Sequence, residues 1–124
     1  MRAIAMTLDG GRATLEGLGQ HFERLEPPNP PATIMGNAER GRELYVVCAA
    51  CHGEDGRGIV ELNAPNLVGQ ADWYLIRQLE HYRDGLRGSN PEDTYGMQVI
   101  PIMQSLPEDD AIVDLVAYIN TLKE

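Results

Sequence analysis

The sequence predicts an all-α protein of three to five helices joined by long ordered loops. Three observations support this prediction. Apolar residues recur at helical spacings of three and four in several segments, no alternating strand pattern of useful length occurs, and glycine and proline concentrate between the periodic segments. At 124 residues, the chain has the size expected for one compact core.

The N-terminal part of the chain contains one periodic segment, within residues 7–25. Its apolar stripe consists of Leu15, Leu18, Phe22 and Leu25. The following sequence, EPPNPPAT, holds four prolines and favours an extended, polyproline-like conformation. We therefore divide the chain into a helical segment (residues 1–25), a proline-rich linker (residues 26–35) and a C-terminal unit (residues 36–124).

Three helices are predicted in the C-terminal unit. The first is capped by Asn37 and runs into the two cysteines of the chain. The second has Asp72 as its cap and Gly85 as its stop. The apolar stripe of the last helix comprises Ile112, Leu115, Val116, Ile119 and Leu122. Residues 85–105 show no sustained period and are predicted to form a long loop.

Composition excludes several classes of protein. The formal net charge is −9, and a single lysine stands beside nine arginines, so a nucleic-acid surface is not expected. An acidic chain of this kind favours basic partners. No apolar run approaches the roughly eighteen residues of a membrane span, and residues 1–11 lack the apolar core of a secretory signal peptide.

The chemistry is concentrated in CAACH, which contains Cys48, Cys51 and His52. A thioredoxin-like redox pair would need a preceding strand within a βαβ unit, which this sequence does not predict. A structural zinc ion would need four ligands, and the two remaining histidines are not at finger-like spacing. Covalent haem uses all three residues, because two thiols form thioethers with the porphyrin and the histidine binds the iron.

The spacing within CAACH fits haem attachment physically. One helical turn separates Cys48 from Cys51, which suits two neighbouring vinyl groups, and the same turn brings His52 beneath the metal. We therefore predict one covalent haem c, with zinc and a redox dithiol as the alternatives. Attachment of haem to exported thiols indicates the bacterial periplasm.

Four stretches together resemble the class I c-type cytochromes, and in particular the small periplasmic bacterial type often found as tandem two-haem proteins. They are GRELYVVCAACHGEDGRG, APNLVGQ, WYLIRQLEHYRDGLRG and LVAYINTL, and the resemblance covers residues 36–123. It implies the class I cytochrome c fold, with the first and last helices crossing at Gly41 and Tyr45 near Tyr118. It also implies that the carbonyl of Pro65 accepts a hydrogen bond from the iron-bound His52.

The distal iron ligand is where this sequence departs from the family. Relatives carry a methionine seven residues before the leucine that leads into the last helix, and Val99 occupies that position here. Met97 becomes the expected ligand if the loop shifts by two residues, and Met103 is the alternative. An open sixth position is the third possibility considered.

The resemblance implies a one-electron carrier and not an enzyme, exchanging electrons with redox proteins through basic docking surfaces on those partners. Two alternatives remain. An open distal side would give a gas-binding or sensing haem protein, and the chain could also be the electron-entry domain or subunit of a larger oxidoreductase.

The sequence also contains a faint internal repeat. Residues 1–25 align with the segment that leads into and includes the last helix, so that Leu18 matches Leu115 and Leu25 matches Leu122. The N-terminal segment therefore resembles the final piece of a preceding cytochrome domain. This predicts a second haem domain that is not part of the sequence, or a dimer.

Overall fold

The structure is a computed structural model that describes residues 10–25, 30–107 and 110–122. Its α-helices, in chain order, are α1 (Gly11–Glu23), α2 (Ala38–His52), α3 (Asp72–Arg83), α4 (Val99–Gln104) and α5 (Asp110–Thr121). Extended pairing within these ranges is limited to an isolated bridge between Ile59 and Ala64. The predicted all-α class is confirmed. No helix in the described ranges has the length and apolar character needed to cross a membrane.

Helix α2 begins and ends as its sequence dictates. The side-chain oxygen of Asn37 accepts hydrogen bonds from the backbone N–H groups of Glu39 and Arg40, both at 3.1 Å, which confirms Asn37 as the cap. At the other end, Gly53 takes a φ of 79° and its N–H donates to Ala49. Glycine tolerates this left-handed conformation, so the chain can leave the helix directly after His52.

Helices α2 and α5 cross where Gly41 faces the backbone of α5. A Cβ atom at Gly41 would overlap the carbonyl oxygen of Asp114, so only glycine permits this approach. One turn further along α2, the ring of the buried Tyr45 packs against Tyr118 with centroids 5.2 Å apart. The crossing implied by the family resemblance is therefore confirmed.

The hydrophobic core lies mainly along α5. The stripe predicted from the sequence faces inward, and Ile112, Leu115, Val116 and Ile119 are all at most 2% exposed. Helix α3 packs on α4 and α5. The other buried apolar side chains of the core are Tyr45, Leu75, Met103 and Ala111.

Asp72 was predicted to cap α3, but it lies one position inside that helix and serves a different purpose. Its carboxylate is 1% exposed and accepts hydrogen bonds from the backbone N–H and the hydroxyl of Thr33 and from the N–H of Ile34 and Trp73. Burial alone would raise the pKa of Asp72, but the hydrogen bonds from Thr33, Trp73 and Ile34 outweigh it, and the net effect lowers the pKa.

A second buried carboxylate, that of Asp114, binds the chain a few residues after Thr33 and Ile34. Oδ1 of Asp114 accepts a hydrogen bond from the backbone N–H of Asn37 at 2.7 Å, and its Oδ2 pairs with Arg40 at 3.1 Å. Between the two carboxylates, Gly36 lies so close to α5 that a Cβ atom would stand 2.8 Å from the carbonyl oxygen of Val113. Residues 33–37, called the strap below, are thus fastened to α3 at one end and α5 at the other.

The prediction of an irregular loop over residues 85–105 is partly wrong. The start is a turn, because Gly85 stops α3 with a φ of 68°, as predicted. A single 3₁₀ turn (Gly96–Gln98) then leads directly into α4. With six residues, α4 is too short to show a period, and Pro101 in its first turn disguised it, although proline is tolerated there.

Helix α1 is the exception to the packing of the other long helices. Its large apolar residues lie on the surface, with exposed fractions of 41% for Leu15 and Leu18 and 65% for Phe22, and Leu25, just beyond the helix, is 51% exposed. It contains no buried residue. The predicted helix and its stripe are therefore present, but none of the described residues buries the stripe. Residues 1–9 and 26–29, which include part of the predicted N-terminal segment and of the linker, lie outside the described residues.

Candidate haem site

The last turn of α2 carries the three residues of the CAACH motif that were singled out from the sequence. Cys51 is exposed, Cys48 is half-buried, and neither forms a disulfide. Both cysteines lie inside the C-terminal end of a helix, whereas a thioredoxin-like pair would follow a strand. The two thiols therefore lie one helical turn apart at the C-terminal end of α2.

The loop after α2 brings Pro65 back to His52. Nδ1 of His52 lies 2.8 Å from the carbonyl oxygen of Pro65. Gly58 makes this possible, because its N–H donates to the carbonyl of His52 at 2.8 Å and a Cβ atom there would overlap the carbonyl of Ala64. Gly58 has a φ of 86°, a conformation that favours glycine.

This contact determines the tautomer of the imidazole. A carbonyl oxygen can only accept a hydrogen bond, so Nδ1 of His52 must carry the proton and donate. The lone pair of a neutral ring is then on Nε2. The ring orientation is fixed by the backbone of Pro65, which is the arrangement of a metal-binding histidine held by a second hydrogen bond.

The environment of Cys48 disfavours a charged sulfur. Burial, and to a smaller extent the neighbouring Cys51, raises the pKa of Cys48 to about 11. The free thiol therefore stays protonated at neutral pH. A thioether carries no charge, so the buried position of Cys48 accommodates the alkylated sulfur of a covalent haem without the cost of burying a charge.

Tyr45 links the helix crossing to the site. Its hydroxyl donates to the carbonyl oxygen of Gly53 at 2.9 Å, one residue beyond His52. Burial, with smaller contributions from Cys48 and Tyr118, raises the pKa of Tyr45 to about 12, so the hydroxyl remains a donor. Sequence reasoning assigned Tyr45 to the crossing alone, because nothing in the local sequence indicates that its hydroxyl reaches past the motif.

The three residues considered for the distal side lie in different environments. Met97 is 46% exposed in the 3₁₀ turn before α4, whereas Met103 is 1% exposed within the hydrophobic core. Val99 is the first residue of α4 and packs against that core. Two residues of α-helical or 3₁₀ backbone correspond to a rotation of about 200° to 240°, so Met97 and Val99 lie on different faces of this segment.

The residues present fit a covalent haem. Two unpaired thiols stand one turn apart, Cys48 is in a setting that tolerates a neutral sulfur, and the adjacent His52 offers Nε2 from a ring held by Pro65.

Comparison with known proteins agrees with this geometry. The cytochrome c family model matches residues 38–123. Cytochrome c-554(548) of Halomonas halodenitrificans is 38% identical over 87 residues, which cover 69% of this chain and 96% of that protein. The thiosulfate dehydrogenase electron acceptor of Stutzerimonas stutzeri is 45% identical over 96 residues, covering 77% of this chain and 43% of that protein.

Among solved structures, the fold is similar to that of Acidithiobacillus ferrooxidans cytochrome c4, with a TM-score of 0.67 and 24% identity. The match covers 98% of this chain and 69% of that one. The chain thus spans most of the Halomonas cytochrome but less than half of the Stutzerimonas electron acceptor. The match to the family model extends over more than half of the sequence. The chain therefore belongs to the cytochrome c family, whose cofactor is covalently bound haem c.

Proposed function

We propose that this chain is a one-electron carrier whose haem is attached through Cys48 and Cys51 and ligated by His52. The observation that carries this assignment is the 2.8 Å contact between Nδ1 of His52 and the carbonyl of Pro65, at the same helix end as both cysteines. When bound, haem supplies an iron that gains and loses a single electron. The protein contributes a rigid helix end and a fixed imidazole.

The contacts of His52 support a carrier because they leave little freedom for rearrangement. Its ring is held through Nδ1, its backbone carbonyl accepts from Gly58, and Tyr45 donates to the next carbonyl along the chain. A ligand that stays in place when the charge of the iron changes keeps the structural cost of electron transfer small. The absorption spectrum and redox cycling of the holoprotein test this, and a colourless protein of bare-chain mass would refute it.

Met97 is the distal ligand in this proposal. Met103 is fully packed, so moving its side chain to a metal would open a core cavity costing about 2–5 kcal/mol. Met97 incurs no such cost. The ferric protein should be low-spin and show the weak charge-transfer band of sulfur-bound iron. Met97→Ala should abolish this band, whereas Met103→Ala should keep it while lowering stability.

The same spectra, together with CO binding, distinguish the electron carrier from the gas-binding alternative. If the Met97→Ala spectrum equals that of the wild type, Met97 is not the ligand. Binding of CO to the reduced wild-type protein at low concentration would then assign an open distal side. Reversible redox cycling of the wild type without CO binding supports the carrier.

Basic redox partners are the proposed docking class. Glu54 and Asp55 are exposed and are separated from the motif by Gly53 alone, and the chain carries a net charge of −9. The relative named as the electron acceptor of thiosulfate dehydrogenase suggests an oxidoreductase as electron donor.

Charge reversal tests the docking proposal. Stopped-flow reduction of the ferric Glu54→Lys, Asp55→Lys double variant by hexaammineruthenium(II) should be at least about threefold slower than that of the wild type at low salt, with a weaker ionic-strength dependence. The Asp84→Lys, Glu92→Lys double variant makes the same change of charge at two exposed positions after α3. It is the control and should keep most of the wild-type rate. Equal losses in both variants would indicate net charge and not a docking face.

Residues 1–25 are proposed to be the C-terminal piece of a preceding cytochrome domain, followed by the linker of residues 26–35. At one constant offset, the residues of the N-terminal apolar stripe correspond to core or core-packed residues around α5: Leu15 to Ile112, Leu18 to Leu115, Phe22 to Ile119 and Leu25 to Leu122. A helix with this face needs the partner that α2 gives to α5.

The haem content of the protein isolated from its source tests the domain proposal. Two haems per polypeptide, with a mass above that of this chain plus one haem, would support a tandem protein. One haem per polypeptide, with a concentration-dependent dimer that Phe22→Glu dissociates, would assign the α1 face to a second copy. Copurification with a catalytic subunit would support the electron-entry alternative. Periplasmic location, the compartment proposed here, is tested by cell fractionation.

A further inference from the structure

The turn that carries Met97 is capped by a single side chain. The carboxylate Oδ1 of Asp93 accepts a hydrogen bond from the N–H of Gly96 at 2.8 Å, and the backbone carbonyl of Asp93 accepts from the N–H of Met97 at 3.0 Å. One step further, the side-chain amide of Gln98 donates to the carbonyl of Thr94 at 2.9 Å. Tyr95 stands at the N-cap position of the 3₁₀ turn (Gly96–Gln98) without a side-chain cap, and the carboxylate of Asp93 supplies this cap from two residues earlier in the chain.

Two glycines wedge this turn into position. A Cβ atom at Gly96, which is buried, would overlap the carboxylate of Asp93. On the other side, a Cβ atom at Gly88 would stand 2.6 Å from the carbonyl oxygen of Gly96 and 3.1 Å from the ring of Tyr82. The backbone before Met97 is therefore fixed between the carboxylate of Asp93 and the chain that leaves α3.

Met97 itself has little packing to orient it. Its side chain is 46% exposed, in contrast to the fully packed Met103. An exposed methionine has three rotatable bonds and loses conformational entropy when it is held in one direction. Its direction must then be set by the backbone turn, and the carboxylate of Asp93 is the side chain that closes this turn.

We propose that Asp93 is a positioning residue that holds Met97 toward the iron. This inference rests on the proposed role of Met97 as the distal ligand. Asp93 does not contact the metal in this proposal. It acts through the N–H of Gly96 and so raises the fraction of molecules in which the thioether is in place.

The test is an imidazole titration of the ferric holoprotein, followed by loss of the sulfur charge-transfer band. Removing an N-cap typically weakens a helix start by a factor of roughly five. Asp93→Ala should therefore bind imidazole about fivefold more tightly than the wild type and show a weaker band before titration. Asp93→Asn keeps an acceptor oxygen and should remain within about twofold of the wild type.

Two further variants control for charge and for folding. Glu92→Ala removes the same charge from an adjacent exposed residue and should leave the titration unchanged. Gly96→Ala displaces the Asp93 carboxylate from the opposite side of the same contact and should reproduce the effect of Asp93→Ala. Circular dichroism of each holoprotein verifies that the helices remain.

The outcomes separate this inference from the proposed function. If Met97→Ala abolishes the band but Asp93→Ala and Gly96→Ala titrate like the wild type, Met97 is the ligand and Asp93 does not position it. If Met97→Ala leaves the band unchanged, the ligand assignment fails and the role of Asp93 fails with it. Equal effects of Asp93→Ala and Glu92→Ala would reduce the role of Asp93 to its charge.

Discussion

Helices α1 and α5 carry the same apolar pattern but have opposite fates. Leu15, Leu18 and Phe22 of α1 are 41–65% exposed, whereas the corresponding residues of α5 are at most 2% exposed. The apolar spacing that predicts each helix is the same. The difference is the partner, because α2 presents Gly41 and Tyr45 to α5. An apolar stripe thus predicts a helix and its apolar face, but burial of that face requires a second element with a complementary surface.

The largest effect should come from removing matched side chains on the two stripes. Ile119→Ala should lower the free energy of unfolding by roughly 3–4 kcal/mol, because it leaves a cavity in the core. Phe22→Ala, at the corresponding position of α1, should change it by less than about 0.5 kcal/mol. Urea unfolding of the two holoproteins measures both values. Comparable losses would mean that α1 is buried in solution.

A slightly smaller loss of stability is expected from placing a methyl group at the crossing of α2 and α5. Gly41→Ala should cost about 3 kcal/mol, because its Cβ would overlap the backbone of Asp114. Gly17→Ala is the matched control, since its Cβ meets nothing within 4 Å. That change should be neutral or stabilise α1 by up to about 1 kcal/mol. Thermal unfolding distinguishes the two, and a neutral Gly41→Ala would show that the crossing is looser than described.

The carboxylate of Asp72, which fastens the strap to α3, makes the stability of the protein depend on pH. The folded pKa of Asp72 lies below the ordinary 3.8, so its contribution to stability is complete above that value and disappears as the pH falls through the folded pKa. Asp72→Asn should lose roughly 2 kcal/mol at pH 7.

This loss should shrink when the pH is lowered below 3.8, because the wild-type carboxylate then becomes protonated. Asp84→Asn, at an exposed position, is the control and should change stability by less than about 0.5 kcal/mol at pH 7. Unfolding curves at several pH values measure these differences, and a constant difference between Asp72→Asn and the wild type would refute the role of the charge.

The smallest loss of stability is expected from removing the hydroxyl of Tyr45, which lies beside the contact between α2 and α5. Tyr45→Phe keeps the ring against Tyr118 but removes the donor to Gly53, and should cost about 1 kcal/mol. The exposed Tyr95→Phe should change stability by less than about 0.5 kcal/mol. Urea unfolding of the holoproteins checks both. A loss near zero for Tyr45→Phe would attribute the contact between the helices to packing alone.

Much of the fold could be predicted from the sequence, because the features that determine α2, α3 and α5 are local. The cap at Asn37, the stop at Gly85 and the stripe of α5 were all confirmed. What escaped prediction depends on contacts distant in sequence. The sequence predicts Asp72 as a cap, but its main partners lie 38 and 39 residues earlier in the chain.

The candidate site divides in the same way. The spacing of Cys48, Cys51 and His52 requires only one helical turn, so the sequence predicts their arrangement directly. The approach of Pro65 came from the family resemblance, and its physical cause, the tight passage at Gly58, is visible only in three dimensions. The cap at Asp93 leaves a weak trace, an acid three residues before a glycine, which is too common to be diagnostic.

The strap has a practical consequence for anyone who wishes to cut or graft this protein. The family match begins at residue 38, but a fragment trimmed to that point would lose the backbone donors that the strap gives to the two interior acids, Asp72 and Asp114. The smallest self-sufficient module therefore starts at or before Thr33. Fusions that respect this boundary should express as soluble red protein, and those that begin at Ala38 should be prone to degradation.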